Sequence, residues 1–324
     1  MRFHIFRPLK KNIHSDYWFL IVNPMAGASR LKAEWPKMES KLTSVGLLFT
    51  YEFTKSKGHA GSLVQSALQQ GYRKIAGVGG DGTNNEIING IISQSQIPLD
   101  KIYYSLLPFG TGNDWSRTHE IPRKIKDWVA MLKGNQQIDH NIGLLELKNH
   151  DSIQKRYFIN VAGMAFDAHI VKMGERFPQK SRRKFLYLWL ILRWIWTFSS
   201  PLLKVEFENQ TRSKKFYTIN CGVCKYAGGG MKIVPHADPE NKQLAITMIK
   251  DFSKWKVPFD TPKLFSGNLK NHKHTEMVFS KKIKVSSVKN DLLEIETDGE
   301  YIGAGEVFIS LYHQSIKVIV PKTN

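Results

Sequence analysis

The first part of the chain alternates short apolar runs with segments whose apolar residues recur every three or four positions. Tyr17–Val22, Leu47–Phe53, Ile75–Val78 and Ile102–Leu107 have the length and flanks of buried strands. Leu31–Val45 and Gly58–Gln70 have helical spacing. The second carries Leu63, Val64, Ala67 and Leu68 on one face, and Pro36 marks a kink or a first turn in the first. A third helix is expected after Thr83, where Ile87, Ile88, Ile91 and Ile92 form an apolar face and Thr83 and Glu86 have the spacing of a capping box. A fourth covers Arg123–Lys133. Strand and helix in alternation over residues 17–134 predict a parallel sheet. The texture then changes to short alternating strands at Ile142–Leu147, Arg156–Val161, Leu203–Phe207, Phe216–Cys221, Leu244–Ile249, Ile283–Val285, Leu292–Thr297 and Ser315–Val320, the pattern of a β-sandwich or barrel. The expected fold class is α/β plus β, with a Rossmann-like parallel-sheet domain over residues 15–139, a β-sandwich domain over 140–324, and a crevice between them.

Three of the early strands end in turn-forming loops: Asn23–Gly27, Gly79–Thr83 and Pro108–Asp114. In a parallel sheet the carboxyl ends of the strands share one edge, so the three loops should face one crevice. The middle loop, GGDGT, joins a strand to a helix start, where free backbone N–H groups and the helix dipole favour an anion. Asp81 would repel a phosphate there unless a cation lies between them, which points to magnesium. Asn113 and Asp114 also read as natural helix caps.

Lys180–Phe198, KSRRKFLYLWLILRWIWTF, interrupts the β-rich half and is apolar all round behind a basic leader. Its uncharged run is too short to span a bilayer, which leaves a helix buried between domains or an interfacial helix with Trp189, Trp194 and Trp196 at headgroup depth. The formal charge of +19 over 324 residues implies an anionic partner. Two cysteines, Cys221 and Cys224, exclude a disulfide framework, and their CGVC spacing falls after a strand rather than at a helix start, where thiol redox chemistry would need it. Residues 1–14 are basic without the apolar core of a secretory signal, so the expected location is cytoplasmic, peripheral at the inner membrane face.

The ordered set NPMAG (Asn23–Gly27), GGDGTNNE (Gly79–Glu86), PFGTGNDWSR (Pro108–Arg117), NVAGMAFDA (Asn160–Ala168), YAGGGMKIVPHA (Tyr226–Ala237) and TDGE (Thr297–Glu300) resembles the diacylglycerol kinase catalytic-domain family, which includes bacterial soluble lipid kinases and sphingosine kinases. The resemblance runs from residue 17 to 321, and GGDGT alone is shared with NAD kinases. It implies ATP held by Asn23, Pro24 and Gly27, by Thr54, by Gly79, Gly80, Asp81, Gly82, Thr83, Asn84, Asn85 and Glu86, and by Gly110, Thr111, Gly112 and Asn113. It implies catalytic magnesium at Asp81 with help from Asp139, and an acceptor-activating carboxylate at Asp298 or Glu300. If those two residues lie on one strand they share a face. Where relatives carry an Asp-Gly pair for a structural magnesium, this chain has Asn241 and Lys242, with Asp238 and Glu240 beside them. Asn241 offers a carbonyl but no charge, so that site is implied only in weakened form.

The expectation is an ATP-dependent lipid kinase acting on diacylglycerol, a sphingoid base or another membrane lipid at an anionic membrane surface, with magnesium as cofactor. No nucleic-acid partner is expected, and a homodimer stays open. An NAD kinase would share the loop but have no use for the tryptophan-rich helix, and a non-catalytic membrane-binding member would keep the fold and the charge.

Overall fold

A computed structural model describes residues 16–149, 152–175, 193–269, 272–289 and 292–322. Residues 176–192, which hold most of the Lys180–Phe198 segment, and the amino-terminal leader lie outside the described residues. The α/β half runs β1 (Trp18–Val22), α1 (Ala26–Ser29), α2 (Leu31–Ser44), β2 (Phe49–Phe53), α3 (His59–Gln69), β3 (Lys74–Gly79), α4 (Asp81–Ser93), β4 (Tyr103–Pro108), α5 (Asp114–Thr118), α6 (Ile125–Gly134) and β5 (Gln137–His140). The sheet order β2-β1-β3-β4 places β1 at a reversal of strand order, and Asn23 and Gly79 leave the sheet side by side there. Such switch points are where open α/β sheets bind ligands.

The second half runs β6 (Gly143–Asn149), β7 (Ser152–Phe158), β8 (Val161–Ala165), α7 (Phe166–Glu175), β9 (Leu202–Phe207), β10 (Gln210–Gly222), β11 (Leu244–Lys250), α8 (Val257–Ser266), β12 (Thr275–Ser280), β13 (Lys282–Ser287), β14 (Glu294–Thr297), β15 (Glu300–Ala304), β16 (Glu306–Leu311) and β17 (Ile316–Ile319), and strands β6 to β16 form a curled antiparallel sandwich. The layers are joined by β10, whose first half pairs with β9 and whose second half pairs with β8 and β11 across a register shift at Phe216–Thr218. One apolar core runs from Trp18 and Leu20 through Trp128 to Phe158 and Ile246.

Three expectations change. The last strand does not join the sandwich: β17 inserts in the first sheet, parallel to β4 and antiparallel to β5, so the chain returns to its first layer at the end. The run Arg156–Val161 is not one strand, because the chain bends at Ile159–Asn160 between β7 and β8 to point consecutive N–H groups at Asp298. The capping box does not form. Gly80 is the N-cap and α4 starts at Asp81, so Thr83 is already inside the helix; it accepts a hydrogen bond from Asn23 Nδ2 at 2.9 Å, and Glu86 turns to the Ala60 N–H.

Candidate active site

The three loops pack against one another at the carboxyl edge of the first sheet. Asn23 N–H donates to Val78 O, Thr54 N–H to Val22 O, and Phe109 N–H to Gly79 O. Gly110 must lack a side chain, because a Cβ there would come within 2.9 Å of the Gly80 Cα. A Cβ on Gly82 would meet nothing within 4 Å, so the start of α4 presents bare backbone to open space. Pro24, Gly27, Thr111 and Gly112 lie on the same loops. Not every residue of the GGDGTNNE run faces that space. Asn84 Oδ1 accepts the Tyr104 hydroxyl at 2.6 Å inside the core, and Asn85 Nδ2 reaches across to Asp298 Oδ2 at 2.8 Å.

Asp81 sits between two backbone termini. It begins α4, and its Oδ1 accepts the Trp115 N–H at 3.3 Å where α5 starts. Its carboxylate neighbour is Asp114, whose Oδ2 accepts the Gly229 N–H at 2.7 Å while Oδ1 is buried without a hydrogen-bond partner. Burial, then the Asp81 charge, push the Asp114 carboxyl up to about 6. Two like charges with an orphaned oxygen call for a cation, so Asp81 and Asp114 fit a magnesium ion by donor chemistry. Asp139 is not brought to Asp81: it lies on β5 and pairs with Lys317 at 2.7 Å. Asp114 is the carboxylate that reading it as a helix cap overlooked; its place in PFGTGND, one loop from GGDGT, was the available signal.

The TDGE turn is a hairpin, so Asp298 and Glu300 do not share a strand face. Asp298 (φ 50°) and Gly299 (φ 83°) form the two-residue loop between β14 and β15, the conformation that Asp-Gly favours. The Asp298 carboxylate accepts N–H bonds from Ile159 (3.0 Å), Asn160 (3.0 Å) and Val161 (3.1 Å) besides the Asn85 amide. Burial raises it to about 6 even against those donors. Glu300 instead is held by two cations, Lys57 at 2.9 Å and Arg156. Beneath the turn, Glu296 Oε2 accepts the Gly299 N–H at 2.8 Å, and burial pushes its carboxyl up to about 8. Arg156, Lys57 and Glu296 carried no motif signal.

The Asp238–Asn241 turn does not fit a metal. Asp238 Oδ1 accepts the Glu240 N–H and Asn241 Oδ1 the Gln243 N–H, while Asn141 donates its side-chain amide to Asn241 O and its own N–H to Pro239 O. Protein N–H groups already take the oxygens a magnesium ion would need. Near this junction His119, His140 and Cys224 converge in full burial, the one His/Cys group of that kind among the described residues. The trio is a hydrogen-bonded knot: Trp115 Nε1–H donates to His140 Nε2 at 3.0 Å, and the Cys224 thiol to Ile159 O at 3.2 Å. Burial keeps both imidazoles neutral and pushes the Cys221 and Cys224 thiols up, so the CGVC pair has no thiolate for redox work.

Comparison with known proteins accounts for both halves of the chain. Residues 17–145 match the diacylglycerol kinase catalytic domain, and residues 160–320 match the YegS C-terminal NAD kinase beta sandwich-like domain. A Bacillus subtilis (strain 168) protein named provisionally as a lipid kinase, YtlR, is 28% identical over 89% of this chain and 94% of its own. A Staphylococcus haemolyticus diacylglycerol kinase is 23% identical over 94% and 88%. The crystal structure of a diacylglycerol kinase from Bacillus anthracis strain Sterne superposes with a TM-score of 0.69 at 21% identity, over 94% of this chain and 97% of that one. The chain belongs to the diacylglycerol kinase catalytic-domain family and is a lipid kinase.

Proposed function

We propose that this lipid kinase transfers the γ-phosphoryl group of ATP to a hydroxyl of a membrane lipid, with diacylglycerol as the acceptor. The observation that carries the reading is helix α4. Its first residue, Asp81, stands at the glycine loops, and one turn further, about 6 Å along the axis, Asn85 holds Asp298 at 2.8 Å. One rigid element thus ties the phosphate end of the site to the carboxylate of the acceptor end. Relatives named diacylglycerol kinase support the choice of acceptor.

The backbone N–H groups at the start of α4 bind the phosphates, and the loops around Gly80 and Gly110 orient them. Magnesium, when bound at Asp81 and Asp114, supplies charge neutralisation on the phosphates. Asp298 takes the proton of the acceptor hydroxyl as its oxygen bonds to phosphorus and the bond to the β-phosphate oxygen breaks, releasing ADP. A carboxylate has about four acceptor sites, and all four are filled here, so one donor must yield. Asn85 is the one side-chain donor among them and can rotate, whereas the three backbone donors cannot. Glu300 fixes Lys57 and Arg156 beside the reacting groups. Incubation with labelled ATP, a total lipid extract and added NAD tests this: a labelled phosphatidic acid is expected. Label on another lipid would redirect the acceptor, and label on NAD or on nothing would overturn the reading.

A further inference from the structure

Two stretches far apart in sequence build one exposed aromatic surface. In the helical turn 193–197, Trp194 and Ile195 point inward, joining Phe198, Phe166, Ile170 and Tyr217 in a second apolar cluster. Trp196 points the other way and is 43% exposed. Against it lies Trp255, 72% exposed, from the 3-10 turn Lys254–Lys256, with ring centroids 4.2 Å apart and planes at 71°. The Lys254 ammonium donates to the Trp196 carbonyl at 3.0 Å and locks the two elements together. Phe265 is 52% exposed on α8, which follows Trp255 in the chain, and Lys256 and Lys263 are exposed on the same segment.

We propose that this Trp196–Trp255 platform is the surface by which the protein docks on an anionic lipid bilayer. Indole rings rest at headgroup depth, where the body is apolar and the N–H finds an acceptor, and lysines beside them meet lipid phosphate. Charge complementarity selects the partner. No acidic residue occurs from Arg176 to Val205, and from Phe252 to Thr275 Asp260 stands alone against five lysines, within a chain of formal charge +19. The platform is also joined to the site. Its supporting cluster includes α7, which sets His169 and Lys172 against Glu294 at the head of β14, and β14 runs directly into Asp298. Through the cluster and α7, this face is thus coupled to the head of β14, one strand length from the carboxylate that would receive the lipid's proton.

This inference rests on the acceptor being a membrane lipid, so binding and turnover are measured separately. Flotation with phosphatidylcholine vesicles, with and without phosphatidylglycerol, reads docking; phosphorylation of diacylglycerol in detergent micelles reads chemistry. The wild type should float only with phosphatidylglycerol present and less as salt rises. Trp255→Ser, at a surface position, should lower flotation about tenfold and leave micellar turnover unchanged. Equal flotation of Trp255→Ser and wild type, or a wild type that ignores the anionic vesicles while phosphorylating micellar lipid, would overturn the platform and leave the kinase reading intact. Anionic-specific flotation lost in Trp255→Ser, with no lipid phosphorylated by either protein, would support the platform and refute the acceptor.

Discussion

Two acidic pairs lie one turn of α4 apart, and the protein treats them in opposite ways. Asp298 and Glu300 are satisfied from within: three backbone N–H groups and an amide surround the first, and two cationic side chains hold the second. Asp81 and Asp114 are left in debit. They repel each other, and the buried Oδ1 of Asp114 has no hydrogen-bond partner, with Arg117 Nε standing 3.9 Å from it. A pair the fold has neutralised is fixed in place for proton transfer, whereas a pair it has left charged is suited to capture a cation. Substitutions that preserve shape and remove charge separate the two.

The largest effect is expected at the first pair. Asp81→Asn or Asp114→Asn should lower turnover on the order of a thousandfold, because magnesium supplies several kcal/mol of charge stabilisation. Asp114→Asn should also raise the melting temperature in the absence of magnesium, by about 2–4 °C for each kcal/mol of repulsion relieved. The wild type should gain stability on adding magnesium and the variant should not; a variant that gains as much would break the contrast between the pairs.

Next in size is Asp298→Asn, with a rate loss on the order of a hundredfold or more. This change is not neutral for the fold. The new NH2 group would face the Ile159 N–H and the Asn85 amide, donor against donor, so melting temperature should fall as well, unlike in Asp114→Asn. Glu300→Gln loosens two surface-accessible cations only and should cost about tenfold in rate with little change in stability. If Glu300→Gln proves the more damaging of the two, the base has been assigned to the wrong side of the hairpin.

A smaller effect is expected from pH. Asp298 and Glu296 hold their protons more tightly folded than unfolded, with values of about 6 and about 8. Their contribution to stability is complete below the unfolded carboxyl range and is lost as pH rises through those folded values. Melting temperature should therefore decline from about pH 5 to about pH 9, and Glu296→Gln, which mimics the protonated form, should flatten the upper part of that decline. If the slope is unchanged in Glu296→Gln, its carboxyl is not the buried acid the hairpin rests on.

The strands and glycine loops were legible because local composition decides them: an apolar run followed by Gly-Gly-Asp-Gly has few other solutions. Partnerships across the fold were not. Asp139 was expected beside Asp81 and Asp114 was read as a helix cap, and only the packing of α5 against α4 brings Asp114 to Asp81 while Asp139 pairs with Lys317. The spacing of Asp298 and Glu300 suggested a shared face, but Asp-Gly also codes a two-residue hairpin loop, and strand pairing with β8 decided for the hairpin. Trp194 and Trp196 looked equivalent until the second apolar cluster buried one and left the other outward.

The smallest expected effect is an absence, and it tests whether the protein has replaced a metal with hydrogen bonds. In the turn Asp238–Asn241 the carboxylate caps its own backbone and the carbonyls of Pro239 and Asn241 receive both donors of Asn141, which sits just past β5 where the two halves of the chain meet. A magnesium ion there would have to displace two donors that cost nothing to keep, and the exposed Lys242 next door adds repulsion. In the Asp114→Asn background, where the first pair no longer draws magnesium, chelator and excess magnesium should give the same melting temperature within about 1 °C. Asn141→Ala in that background should lower it by several degrees, since it leaves the Asn241 carbonyl without its donor at a cost of about 1–3 kcal/mol. A magnesium-dependent rise in Asp114→Asn that disappears on adding Asp238→Asn would mean the turn opens to take the ion after all.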